Sequence, residues 1–260
     1  AGGDRLRISS ALDQYFPALK TAGPTTELET QVAALALSIH REAKKSEDPG
    51  VWKAADRLYA SFHTHFPAST HAQVWYFGAQ RQEELGQTWQ AVAEYQKAGE
   101  ISEFENRDDS ALTVLRILRG KLDRLSLKNP SDRSPHREEY ARTAEAARWY
   151  LQHFSGAQEA GVAARIYLEA LDEGGEFLAA STYVASLFEG LAKNFHGLQS
   201  ESWDLYLTHN ARLYKAQRWK DAHDLAVQLL QSSIFTAPEQ GEFLQKLRRF
   251  YQETGFQVAH

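Results

Sequence analysis

The chain has 260 residues, 43% of them hydrophobic and 12% aromatic. That length and composition exclude a disordered chain and suffice for one large domain or two small ones. A net charge of −5 with a pI near 6.1 argues against a nucleic-acid partner, which calls for a basic stripe. The absence of cysteine removes disulfides, thiolate zinc sites and cysteine nucleophiles together, and is compatible with an oxidising compartment. No apolar run approaches the roughly 18 residues of a membrane helix. Methionine is also absent, and Ala1-Gly2-Gly3 lacks the apolar core of a signal peptide, so the chain reads as processed or truncated.

In chain order the pattern is helical throughout. Alternating apolar and polar runs are missing, and alanine, leucine, glutamate, glutamine and arginine dominate. Residues 4–20 read as a terminal helix. Thr26-Glu27-Leu28-Glu29 reads as a capping box, opening a helix that carries Leu28, Val32, Leu35 and Ile39 on one side and stops near Asp48, ahead of Pro49. The spacing predicts helices over 36–48, 52–65, 72–85 and 88–101. Arg107–Leu127 and Arg137–Phe154 follow as helices around a polar, proline-containing loop from Lys128 to His136, and 239–254 reads as a final helix.

A repeat runs through these helices. Gly50, Trp52, Ala55 and Tyr59 are followed 36 residues later by Gly86, Thr88-Trp89, Ala91 and Tyr95. Ala43 matches Ala79, and Ile39 matches Trp75. The pattern returns as Gly175, Phe177, Ala180 and Val184, and as Trp219-Lys220-Asp221-Ala222 and Ala226. Small residues at helix contacts let the axes approach, and glycine frees the turn for a left-handed angle. The six tryptophans are expected mostly in packing roles, with Trp52, Trp75, Trp89 and Trp219 at the repeat contacts.

With Trp75, Ala79, Gly86, Ala91, Tyr95 and Ala98 in one unit, and Ala43, Gly50, Trp52, Ala55, Tyr59 and Pro67 in another, the sequence resembles the tetratricopeptide repeat. The resemblance implies an all-α, right-handed α-solenoid of antiparallel helix pairs, four or five in number. The expected division is 1–35, N-terminal capping helices; 36–105, two well-matched units; 106–160, a divergent helical unit with the polar loop 128–136; 161–236, two degenerate units; and 237–260, a C-terminal capping helix. Phe66-Pro67-Ala68-Ser69, closing one helix pair, looks like the repeats of bacterial envelope scaffolds and outer-membrane lipoproteins. Tyr150–Ala157 and Leu191–Gly197 end in the same aromatic-then-stop manner.

No residue set calls for catalysis. His63, His65 and His71 are dense, but His63 and His65 are set roughly 200° apart on a helix, so they read as solvated or locally hydrogen-bonded rather than as metal ligands. Glu103, Glu105, Asp108 and Asp109 read as acids at a helix start, and Glu173-Gly174-Gly175-Glu176 as a turn. Arg116, Arg119, Lys121 and Arg124 read as a solvated face. No zinc-protease, nucleophile-elbow, phosphate-loop or dinucleotide motif is present, so no metal or other cofactor is expected.

In the family, the first helix of each pair lines a groove that holds peptides. The resemblance therefore implies a partner-binding groove at His40 and Lys44, then Gln73, Tyr76, Gln80 and Glu83, then Arg165 and Glu169, then Leu207 and Tyr214. Only Lys44 suits the family's peptide-carboxylate clamp. Tyr76 is expected to face the groove free of the core claimed by Trp75 and Ala79. The expected function is a non-catalytic scaffold docking a protein or peptide in a larger bacterial envelope assembly, periplasmic or associated with the outer membrane. The alternatives are an accessory domain of a cell-wall lytic enzyme and a cytosolic peptide-sensing regulatory domain. Partner identity and oligomeric state are not encoded in any motif.

Overall fold

The computed structural model describes Pro17 and residues 25–126, 136–191, 199–231 and 237–254. The described residues form eleven α-helices and no strand: α1 Thr26–Ser46, α2 Pro49–His65, α3 Ala72–Glu84, α4 Thr88–Glu100, α5 Arg107–Ser126, α6 Arg137–His153, α7 Ala160–Gly174, α8 Phe177–Leu191, α9 Gln199–Lys215, α10 Trp219–Gln231 and α11 Ala237–Thr254. The protein is all-α. The terminal segment 4–20, apart from Pro17, and the expected loop, apart from His136, lie outside the described residues.

Local chemistry sets the helix ends. The cap of α1 is Thr25, one residue earlier than expected. Its hydroxyl accepts from the Leu28 N–H at 3.2 Å, satisfying one orphan donor of the first turn. Glu27 and Glu29 open α1 and Lys44 and Lys45 close it, each matching the helix dipole. Asp48 caps α2, its carboxylate accepting from the Gly50 N–H at 2.8 Å, with Pro49 in the first turn where its missing N–H costs nothing.

The chain divides into two compact units, residues 1–117 and 118–260, with the division inside α5. In the first unit α1 packs on α2, α3 packs on α4, and α3 also meets α1 and α2. Ala36, Ala43, Ala55, Ala79 and Ala91 are fully buried where helices meet, around Leu58, Tyr59, Phe62 and Val74. In the second unit α6 packs on α7, α8 on α9 and α9 on α10, while α7 also meets α9 and α8 meets α10. Its core includes Tyr150, Ile166, Leu168, Phe188, Tyr206 and Phe243.

One turn recurs three times. Gly86, Gly175 and Gln217 have φ of 73°, 82° and 59°, and each stands two residues before the next helix. The N–H of the following residue reaches back to the carbonyl five positions earlier, Gln87 to Gln82, Glu176 to Leu171 and Arg218 to Leu213, at 2.8 Å in every case. This is the left-handed helix stop that satisfies orphan carbonyls. Four residues beyond each of these donors stand Ala91, Ala180 and Ala222, all completely buried.

The first turn departs from this. Gly50 was expected to match Gly86, but it lies inside the first turn of α2, and the left-handed residue is Glu47, with φ 51°. Pro49 starts α2 early, so the equivalent core residues Ala55 and Tyr59 keep the 36-residue spacing while the turn does not. Because α1 runs on from Thr26, the segment boundary expected at residue 36 falls within it. Trp219 is a second departure. It was placed among the packing tryptophans, yet it is 60% exposed, since it opens α10 and the buried face there starts at Ala222.

Candidate functional site

Within the first unit, Tyr76, Gln80 and Glu83 share one face of α3 at three- and four-residue steps. With Glu84, Tyr95 of α4, and Asp109, Thr113 and Arg116 of α5, they line an open recess of about 550 Å³. The Tyr76 hydroxyl donates to Asp109 at 2.6 Å, the Tyr95 hydroxyl donates to Glu83 at 3.4 Å, and Arg116 pairs with Glu83 at 2.6 Å. Burial and the Asp109 carboxylate push the Tyr76 phenol up to about 12. Burial, then Glu83, likewise raises that of Tyr95. Both rings therefore stay neutral and act as donors.

Tyr76 is not free of the core as expected. Its ring meets Phe77, Tyr95 and Phe104 edge-on, with centroids 5.4, 5.8 and 5.6 Å away. It is half-buried and anchors one wall of the recess while its hydroxyl faces the acid across it.

His40 is a correction. It was expected on the groove strip beside Tyr76, but it is only 3% exposed. Its Nδ1 is hydrogen-bonded to the Tyr59 hydroxyl at 2.9 Å, and its ring lies among Trp52, Tyr59 and Phe77. Burial, followed by the nearby charge of Lys44, lowers its pKa to about 4. Burial, then Glu94, raises that of Tyr59, which keeps the phenol protonated. Lys44 and Gln73 are exposed and outside the recess, with Lys44 5.9 Å over the Phe77 ring.

The His63 group forms no metal set, and no group of three or more potential ligands occurs among the described residues. His65 binds its own helix, Nδ1 to the Ser61 carbonyl oxygen at 2.8 Å. His63 makes a tertiary contact that sequence spacing did not show: Nδ1 stands 3.1 Å from Glu94 of α4, and the ring stacks on Trp75.

In the second unit, Arg165 and Glu169 join Arg119, Leu168, Asp204, Leu205, Thr208 and Arg212 around a smaller recess of about 240 Å³. Arg119 binds Glu169 at 3.1 Å, and Arg165 approaches Asp204 at 3.6 Å. Leu207 and Tyr214 are partly buried and do not line it. Arg116, Arg119 and Arg124 are exposed, as expected of a solvated face, and Arg116, Arg119 and Lys121 are also ion-paired, to Glu83, to Asp123 and Glu169, and to Glu139. Asp108 and Asp109 do stand in the first turn of α5.

A further constellation escaped the sequence reading. His209 on α9 is completely buried, its Nδ1 2.7 Å from Asp172 at the end of α7 and its Nε2 2.8 Å from Ser181 on α8. The other Asp172 oxygen accepts from Arg212 at 3.1 Å. These residues stand 37 and 28 positions from His209. No short motif links them, and only the packing of three helices brings them together.

No helix among the described residues is long and apolar enough to cross a membrane. Compared with protein-family models the sequence matches none, and no curated protein matches it.

Proposed function

We propose that this chain is a docking scaffold that binds a protein or peptide segment, and not a turnover enzyme. The observation that carries the reading is the recess at Tyr76, Gln80 and Glu83. These three residues, assigned to a groove from the tetratricopeptide resemblance, line one concavity together with Tyr95, Asp109, Thr113 and Arg116. Its walls combine aromatic edges with donors and acceptors already held in place, a composition that suits a peptide backbone and its side chains.

The supporting architecture is a solenoid of antiparallel helix pairs. Support comes from the pairing of successive helices, from the additional contacts α1 to α3, α7 to α9 and α8 to α10, and from the recurring left-handed stop. Contacts between every second helix are what stacked helix pairs produce. The tetratricopeptide resemblance and the segment division rest on the same repeat. Placement in a bacterial envelope assembly rests on the Phe66–Ser69 segment alone.

The test is selection of peptides on the intact chain from a display library, followed by titration against Thr113→Arg and Gln80→Arg. Both residues are partly exposed on the recess wall, so these changes fill it while leaving the core in place. The reading expects affinity to fall at least about tenfold, about 1.4 kcal/mol, with melting unchanged. Equal affinity for parent and variants would remove the recess as the docking site.

A further inference from the structure

We propose that Ser181 is a base-activated nucleophile that accepts an acyl-type group from an activated ester or a phosphonyl donor. The inference goes beyond docking and does not rest on it.

Asp172 is 1% exposed, and its two carboxylate oxygens are shared between His209 Nδ1 and Arg212. A carboxylate only accepts, so Nδ1 carries the hydrogen and donates it. In the neutral imidazole Nε2 is then the lone-pair nitrogen, and it faces the Ser181 hydroxyl at 2.8 Å. In that form the hydroxyl donates to it. The serine oxygen is thereby polarised by a base whose tautomer is fixed from behind, the arrangement that activates a serine whatever the order of the residues in the chain.

Exposure supports the assignment. His209 is completely buried, whereas Ser181 is partly exposed. His40 of the first unit gives the contrast. It pairs with the Tyr59 hydroxyl through Nδ1, and its Nε2 has no hydrogen-bond partner. His209 instead bridges a buried acid and a part-exposed serine.

In the step, Ser181 Oγ bonds to the electrophilic carbon or phosphorus. Its proton passes to His209 Nε2, and the leaving group departs with the electron pair of the broken bond. Asp172 continues to accept from Nδ1 and stabilises the imidazolium. Ser181 lies within α8 rather than on a tight turn, so its own N–H belongs to the helix ladder and is not an oxyanion donor. The expected chemistry is acceptance of one group and not turnover.

The probe is a fluorophosphonate added to the intact chain, with modified serines located by peptide mass spectrometry. The O–P bond forms as the P–F bond breaks and fluoride leaves. The exposed Ser186 on the same helix donates to the Tyr183 carbonyl oxygen and is the internal control. Ser181 is expected to react on the order of 10²-fold faster than Ser186, the usual contribution of a positioned base. Ser181→Ala abolishes the adduct at that site while keeping the circular dichroism of the parent. His209→Gln removes the base and is expected to bring Ser181 down to the rate of Ser186; if that variant does not fold, the ratio of Ser181 to Ser186 labelling in the parent decides. Reaction at Ser181 no faster than at Ser186 would overturn the proposal and leave the network as a lock between three helices.

Discussion

His63 lies flat on Trp75, ring centroids 4.1 Å apart and planes within 7° of parallel, while its Nδ1 meets the Glu94 carboxylate at 3.1 Å. One side chain of α2 is thus held by an aromatic face on α3 and an acid on α4. Gly78 makes room for the pair. A Cβ there would stand 2.6 Å from Glu94 Oε2 and 3.1 Å from His63 Cε1. Glycine within a helix ordinarily costs about 0.5–1 kcal/mol relative to alanine, so the close approach explains its presence.

Gly78→Ala is therefore expected to destabilise the protein by about 1–2 kcal/mol, as overpacking does. In a Glu94→Ala background the same change is expected to cost less by about 1 kcal/mol, because the 2.6 Å approach is gone and the looser one to His63 is set against helix propensity. Urea unfolding of the four proteins in this cycle measures it. A stabilising Gly78→Ala in the parent would mean that the pair does not press on α3.

His40 sets an acid limit. Its pKa falls from the ordinary histidine value of 6.5 to about 4 on folding. Between these values the unfolded chain binds a proton that the native chain does not, so unfolding gains as pH falls. The stability is complete above about pH 6.5 and is lost down to about pH 4, by about 3 kcal/mol at most. His40→Gln cannot titrate, so its stability should vary less across that window. An equally steep loss in the variant would assign the acid sensitivity elsewhere.

The three equivalent stops predict opposite signs for opposite substitutions. Gly86→Ala and Gly175→Ala force an L side chain to φ of 73° and 82° and should each cost about 1 kcal/mol. Gln217→Gly relieves the same strain at φ 59° and should stabilise by about 0.5–1 kcal/mol after the glycine entropy is counted. Thermal melting of the three variants checks the set, and a destabilising Gln217→Gly would break the equivalence.

Ala91 tests the packing beyond that turn. It is completely buried in α4, so Ala91→Leu should lower stability by about 1–3 kcal/mol. An unchanged melting temperature would place Ala91 away from a helix contact.

The helices were legible because their ends are written locally, in the proline and aspartate at α2 and the glycines at 86 and 175. Buried alanines were legible because the repeat carries them. The register of the first turn was not, since Pro49 moves the helix start without moving Ala55 or Tyr59. His40 reads as a polar residue on a groove strip, and only the Tyr59 hydroxyl from the neighbouring helix makes its burial tolerable. Tyr76, Gln80 and Glu83 follow from the tetratricopeptide resemblance, but the opposite wall at Asp109, Thr113 and Arg116 comes from tertiary packing. The Asp172–His209–Ser181 network has no local signal at all.

The central claim is that the recess beside Tyr76 docks a peptide segment. Hydrogen exchange of the intact chain, with and without the tightest peptide selected on it, tests this most directly. The account predicts slowed exchange confined to residues 76–84 and 109–116, the two recess walls, and its loss in Thr113→Arg. Slowing centred on α10 and α11, or slowing retained in full by Thr113→Arg, would contradict it.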